Sequence, residues 1–329
     1  MNELRWNPTA KEWISYATHR QDRTFHPPPE YCPLCPTKNE DDFPTEVPKP
    51  SYQIVVFENK FPSFVPKPED PQEAGNGLTP TAPGQGVCEV VLYTDDHYAT
   101  LAEMDKRHIK NLVDVWADRY LDLGSREFVD YVFIFENKGE VIGVTLSHPH
   151  GQIYAYPFVP PRPARELEAA GEHHREKGSC LHCELLSEEH EDGRRVLIEG
   201  QHFSAFIPFY ARFPYEAHLY AHRCVPSIAE LSEEERWDLA GVLKGLLSGY
   251  DELFGFSLPY MMAMHQAPTD GGSYEGVAHF HVEFYPPNRT SEKLKYLAGS
   301  ETGAGVFVMD VKPEDTAAEL REKIEGAAS

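Results

Sequence analysis

Apolar alternation and runs of β-branched or aromatic residues predict strands at Gln53–Phe57, Cys88–Tyr93, Tyr131–Phe135 and Gln152–Phe158. The same signal returns at Arg195–Glu199, Phe203–Pro208, Glu216–His222, Tyr260–His265 and Ala278–Tyr285. One long helical period interrupts each group. From Leu101 to Leu123 apolar residues recur at Leu101, Met104, Ile109, Leu112, Val115, Trp116 and Tyr120, which gives a helix one apolar face. A second helix is predicted over Glu233–Phe254, where Ser232 and Glu235 have the spacing of a capping box. Both halves read as α+β, with antiparallel sheets and one long helix per half.

Marked residues recur in the same order in the two halves. Cys32-Pro-Leu-Cys35 answers Cys180-Leu-His-Cys183, and Phe61-Pro-Ser-Phe64 answers Phe203-Ser-Ala-Phe206. Leu92, Tyr93 and His97 before the first helix match Leu219, Tyr220 and Cys224 before the second. His148-Pro-His150-Gly-Gln152 answers His279-Phe-His281-Val-Glu283. The economical reading is two copies of a unit of about 150 residues, residues 1–165 and 175–329, joined through the polar stretch Pro160–Gly178. The proline-rich segments Pro27–Pro50 and Pro62–Pro83 lack periodicity and are expected to be ordered loops.

Composition narrows the chemistry. A chain of 329 residues that is 41% hydrophobic can bury two real cores, which excludes disorder. Its formal net charge of −23 argues against binding nucleic acid. No run approaches the roughly 18 apolar residues of a membrane span, and Met1 to Arg20 is polar throughout, unlike a secretory leader. A cytoplasmic protein is expected. Six cysteines are too sparse for a disulfide scaffold, so paired Cys-x-x-Cys spacings read first as metal sites.

Zinc takes four tetrahedral Cys and His ligands, and each knuckle supplies two from one tight turn. The repeat marks His97 and His148 as the other pair for Cys32 and Cys35, and Cys224 and His279 for Cys180 and Cys183. His222 is the rival of Cys224. Cys35 and Cys180 lie too far apart for one ribbon, so each half is expected to hold its own metal, giving zinc at one site at least and two per chain on the full reading.

In an extended segment His148, His150 and Gln152 share a face. With His148 held by a metal, His150 is left free in a fixed place. A neutral imidazole whose other N–H is held by a backbone carbonyl is a competent nucleophile at phosphorus, and Gln152 can donate to phosphoryl oxygens. Gly143, Gly151, Thr145 and Ser147 are small enough to leave room for a phosphate.

Val-Phe-Glu-Asn-Lys-Gly ending at Gly139, Ser147-His-Pro-His-Gly-Gln152, Cys32-Pro-Leu-Cys35 and Phe-Tyr-Pro-Pro ending at Pro287 together resemble galactose-1-phosphate uridylyltransferases, a branch of the histidine-triad superfamily. The resemblance covers nearly the whole chain. It implies a duplicated histidine-triad-like fold, a homodimer, and ping-pong exchange of a uridylyl group between UDP-glucose and galactose 1-phosphate. Glucose 1-phosphate and UDP-galactose are the products, and His150 is the nucleophile. Carried over by position, it assigns Arg20 and Arg23 to the nucleotide and Asn59, Lys60 and Phe61 to uracil and ribose. Asn137, Gly143, Thr145 and Gln152 are assigned to the phosphates, and Lys295, Tyr296 and Glu301 to the hexose phosphate, often across the dimer. Phe307 stands where some members place a glutamine. Some members also build a second metal site from a glutamate and three histidines; Glu166, His265 and His281 fit three of those positions, with Glu283 at the fourth, and Glu with histidines suits iron as well as zinc. Two other functions remain open: a phosphorylase of ADP-glucose or a dinucleoside polyphosphate with the same nucleophile, and a non-enzymatic zinc-stabilised binding protein.

Overall fold

The computed structural model describes residues 2–22, 26–37 and 45–327. A small sheet of β1 (Asn2–Asn7), β2 (Glu12–Ala17) and β4 (Thr81–Pro83) flanks one large sheet. The first half contributes to that large sheet β3 (Val55–Glu58), β5 (Val87–Leu92), β6 (Tyr131–Lys138) and β7 (His150–Tyr156), with α1 (Lys106–Gly124) between β5 and β6. The second half contributes β8 (Val196–Glu199), β9 (Phe203–Phe206), β10 (Ala217–Ala221), β11 (Tyr260–His265) and β12 (His281–Tyr285), with α4 (Glu233–Leu253) between β10 and β11. Each expected strand is present, most with ends moved by one to three residues. The first long helix begins at Lys106 rather than Leu101, because the Asp105 side chain accepts the N–H of His108 and caps it. Leu101 and Met104 are buried in the turn before it. The second helix carries the capping box in full: Ser232 accepts from the Glu235 N–H, and Glu235 accepts from the Ser232 N–H.

The strand order β3-β5-β7-β6-β11-β12-β10-β9-β8 is a palindrome about the β6–β11 pair, apart from β8 at one edge. All pairings are antiparallel, and β6 meets β11 with Phe135 opposite Ala263 and Met261 opposite Asn137. The two copies therefore share one sheet. The palindrome also corrects one pairing of the repeat: β9 (Phe203–Phe206) corresponds to β3, whereas Phe61–Phe64 lies in the loop after β3, where Pro62 has no N–H to give a ladder. One face of the sheet is covered by α1 and α4, whose Ile109, Trp116, Leu243 and Tyr250 pack against Ile134, Ile153, Val282 and Phe284 in a single core. Strand alternation sends His150, Gln152 and Tyr154 to the opposite face.

That opposite face is treated differently in the two halves. In the first it stays open. In the second it is covered by α2 (Pro161–Lys177) and α3 (Leu181–Asp192), neither of which periodicity predicted. The supposed polar joint Pro160–Gly178 is thus an ordered helix, with Pro near its start and Gly178 in the left-handed conformation at its end (φ 75°). Only Pro163 and Ala170 of α2 are buried, too few to leave an apolar stripe in the sequence. The hairpin β1–β2, the short β4 that pairs with β1 at the end of the expected loop Pro62–Pro83, and a last helix α5 (Pro313–Ala327), packed on α4 through Ala317, Leu320 and Ile324, were not expected either.

Glu136 sits on the helix side at the joint, buried between the hydroxyls of Tyr93 and Tyr260, each donating at 3.2 Å. Burial pushes its carboxyl up to about 7 against the opposing pull of Lys138 and the two tyrosines. Because the folded value lies above the ordinary one of 4.5, the fold favours the protonated form. That stabilisation is complete below pH 4.5 and is lost as pH rises to about 7. Relative to Glu136→Gln, the native chain should lose on the order of 3 kcal/mol across this window, read as a widening gap in chemical-denaturation midpoints. A gap that does not change with pH would contradict this account.

Candidate active site and metal centres

The first knuckle follows a short 3-10 turn, Pro29–Tyr31, and closes with the Cys35 N–H on the Cys32 carbonyl (3.4 Å). His97 reaches it from the turn after β5 and His148 from the residue pair before β7. The ligand atoms of all four lie within 4.8 Å of one another. Cys35 Sγ is 3.3 Å from His97 Nδ1 and 3.5 Å from His148 Nδ1. A carbonyl can only accept, so the contact of His148 Nε2 with Thr94 O at 2.8 Å puts the proton on Nε2. The Tyr52 hydroxyl, donating to the Leu34 carbonyl, shares that proton at 2.8 Å. Nδ1 of His148 is left as a bare lone pair facing the sulfurs. Burial holds this imidazole down to about 4, in its neutral form.

The second knuckle repeats the design on a helix. Cys180 is the N-cap of α3 and Cys183 lies in its first turn; with Cys224 and His279 they form a group within 4.8 Å. His279 Nδ1 stands 3.5 Å from Cys180 Sγ and 3.6 Å from Cys183 Sγ, while its Nε2 donates to the Ala221 carbonyl at 3.0 Å. His222 is not a member of that group and meets the Ser204 hydroxyl at 2.9 Å. Three thiols so close cannot all ionise alone: contact with Cys183 and Cys224 drives Cys180 down and its neighbours up. A bound cation removes that conflict.

A third group joins Glu166 of α2 to His265 at the end of β11 and His281 at the start of β12. Glu166 Oε2 is 2.5 Å from His265 Nδ1. Glu283 lies 3.6 Å from His265 Nε2 and 3.8 Å from His281 Nε2, with one carboxylate oxygen buried and lacking a hydrogen bond among the described residues. Burial alone would raise the Glu283 carboxyl, but His218, His265, His281 and Arg212 bring it down to about 2. With His265, His281 and Glu283 buried and Glu166 half-buried, this set of carboxylate oxygens and imidazole nitrogens suits a cation.

On the open face of the first half lies a cavity of ≈ 240 Å³. His150 and Gln152 line it, together with Arg20, Asn59, Lys60, Phe61, Asn137, Gly143 and Thr145, so every described first-half residue assigned to catalysis or substrate contact is present, whereas Ser147 does not line it and meets His97 Nε2 at 3.1 Å. Arg23 lies outside the described residues. His150 Nδ1 donates to the His148 carbonyl at 2.7 Å, which leaves Nε2 unprotonated, and burial pushes the imidazole pKa down, opposed by that hydrogen bond. Arg20 is held by the Phe61 carbonyl (2.8 Å) and the Tyr154 hydroxyl (3.3 Å). Asn59 uses its side-chain oxygen on the Phe61 N–H (2.8 Å), which shapes the turn. Gly143 has φ +85°, with nothing within 4 Å of an added Cβ. Gly151 differs from its expected role. An added Cβ there would strike the Tyr93 hydroxyl, so this glycine accommodates the core side of the sheet and leaves no room for phosphate.

Lys295, Tyr296 and Glu301 do not line this cavity. Lys295 is buried, with its ammonium on Glu301 (3.2 Å) and the Val308 carbonyl (2.7 Å), while Tyr296 is exposed. Phe307 packs against Phe213, away from the cavity. Glu46, Phe57, Phe135 and Tyr154 line the cavity without having been singled out. Tyr154 was within reach, as the next member of the His150, Gln152 alternation; Glu46 carries no local signal.

Residues 1–160 match the model of the galactose-1-phosphate uridyl transferase N-terminal domain and residues 166–324 that of its C-terminal domain. This chain belongs to the galactose-1-phosphate uridylyltransferase family. A family member from Thermotoga maritima, named galactose-1-phosphate uridylyltransferase, is 43% identical over 322 residues, covering 98% of each chain. A solved structure titled as a uridylyltransferase superposes with a TM-score of 0.87 at 32% identity, over 99% of this chain and 100% of that one. An ADP-glucose phosphorylase from Arabidopsis thaliana shares the fold, with a TM-score of 0.73 at 24% identity over 98% of this chain and 99% of that one. Within the uridylyltransferase family, this chain pairs an open His-Pro-His-Gly-Gln copy with a covered His-Phe-His-Val-Glu copy.

Cys224→Ala should remove about one metal equivalent per chain and lower thermal stability, since a structural metal contributes directly to folding. His222→Ala should leave metal content unchanged. Elemental analysis of the two variants decides; loss on removing His222 alone would reverse the ligand assignment.

Proposed function

We propose that His150 carries the uridylyl group in an exchange between UDP-glucose and galactose 1-phosphate. Its Nε2 lone pair attacks the α-phosphorus, forming an N–P bond as the bond to glucose 1-phosphate breaks. A phosphate oxygen of galactose 1-phosphate then attacks the same phosphorus, forming UDP-galactose and returning the electron pair to Nε2. The His148 carbonyl keeps the Nδ1 proton throughout and favours the cationic ring of the intermediate. Gln152 donates to the phosphoryl oxygens as charge develops, and Arg20, Asn137 and the open backbone at Gly143 and Thr145 receive the diphosphate. The observation that carries the reading is the tautomer of His150, with Nε2 unprotonated in a cavity of ≈ 240 Å³.

Zinc fits both Cys-rich groups by the chemistry of their donors, and its contribution there is rigidity. Cys32, Cys35, His97 and His148 would hold one ion, Cys180, Cys183, Cys224 and His279 a second. Glu166, His265 and His281 with Glu283 would hold a third cation, zinc or iron. On this reading residues 1–165 carry the chemistry, and residues 175–329 brace it and offer hexose-phosphate contacts to a partner copy. A homodimer suits Lys295, Tyr296 and Glu301, which do not line the cavity of their own chain, and the exposed Tyr296, Leu297, Val306 and Val308 around them. No described helix is long and apolar enough to cross a membrane.

UDP-glucose alone should release glucose 1-phosphate in a burst equal to the enzyme present, and galactose 1-phosphate should restore turnover. ADP-glucose with phosphate should give none; turnover with that pair in place of UDP-glucose would overturn the reading. His150→Gly should abolish the burst while keeping its metal. Gln152→Ala should slow single-turnover uridylylation by about 10²–10³, and a near-normal rate would remove Gln152 from the mechanism.

A further inference from the structure

The cavity beside His150 is proposed to receive a diphosphate, yet an acidic side chain lines it. Glu46 comes from the strand-like return of the first knuckle loop, where its N–H donates to the Pro33 carbonyl at 2.9 Å. Its neighbour Val47 is buried with Cys32, Leu34, Val90 and Leu92, so the backbone that carries Glu46 is fixed. The carboxylate, 30% exposed, pairs with Lys60 Nζ at 3.2 Å, and both side chains face the cavity. A carboxylate repels phosphate oxygens. What it can meet is a neutral N–H or O–H at an end of the substrate away from the phosphates. The wall it borders, Pro33, Leu34, Phe57 and Val90, is apolar and includes a flat ring. Such a wall suits the face of a heteroaromatic base better than a hydroxyl-covered hexose.

We infer that Glu46 and Lys60 form the base-reading edge of the cavity, with the Glu46 carboxylate accepting from the imide N–H of uracil and Lys60 donating to the adjacent carbonyl. This rests on the uridylyl-transfer reading and adds to it a determinant of base choice. Side by side, an acceptor and a donor complement the N–H and C=O of an imide. Cytosine places a bare acceptor nitrogen where uracil has that N–H, so it sets a lone pair against the carboxylate. Sites built to bond an N–H reject analogues that lack it strongly, because the partner is left unpaired. The knuckle thus has two tasks: through His148 it fixes the nucleophile, and through Glu46 it presents the base edge.

The test compares kcat/KM for covalent labelling of the native enzyme and Glu46→Gln by UDP-glucose and by CDP-glucose, with metal content and melting temperature as controls. A carboxamide can offer an N–H to cytosine, so Glu46→Gln should reduce the preference for UDP-glucose over CDP-glucose at least tenfold. A merely structural role would lower both rates and leave their ratio alone, so a ratio within twofold of native overturns the inference while the transfer reading stands. Native enzyme that takes no label from UDP-glucose overturns both.

Discussion

The hydrogen bond from Nδ1 of His150 to the carbonyl oxygen of His148, 2.7 Å long, is the contact on which the rest of the molecule depends. It decides which ring nitrogen is bare, and it works because both of its ends are fixed. His148 is fixed from behind by Thr94, Tyr52 and the Cys32-Cys35 knuckle. His150 is fixed by its place in β7, between β5 and β6 at the middle of four first-half strands. Even Gly151, the residue after His150, serves this end by letting Tyr93 close up beneath the strand. Preorganisation of this kind leaves little reorganisation for the moment of reaction.

The second copy keeps the same hydrogen bond, His281 Nδ1 to the His279 carbonyl, also at 2.7 Å. It differs in what faces the bare nitrogen. Helices α2 and α3 lie across the face that is open in the first copy, Glu166 reaches in, and Glu283 replaces the neutral amide of Gln152. An anionic carboxylate there repels phosphate and favours a cation. On the proposed function, one backbone device supports two outcomes, decided by the cover over the sheet and by one residue two positions along the strand.

The duplication was legible in the sequence because chemistry-bearing residues recur in order, and cysteines and histidines carry strong spacing signals. Long-range closure of each knuckle followed from that order alone: Cys224 stands in the position of His97, and it joins the group whereas His222 does not. Strand ends and the start of α1 were less legible, since Leu101 and Met104 are apolar for burial in a turn and so mimic a helical face. Helix α2 was hidden for the opposite reason: it buries only Pro163 and Ala170, so its apolar pattern is nearly empty, yet it supplies Glu166. Tyr154 and Glu46 show the two kinds of missed site residue, one predictable from strand alternation and the other placed only by the fold of a loop.

On the proposed function, two near-identical histidine pairs divide labour, one open to phosphate and one closed around a cation. The most direct test is to trap the enzyme with UDP-glucose labelled in the α-phosphate, digest it, and locate the nucleotide by mass spectrometry. One modified residue per chain is expected, His150, with the peptide that contains His281 unlabelled. Nucleotide on His281, or label divided between the two, would contradict it.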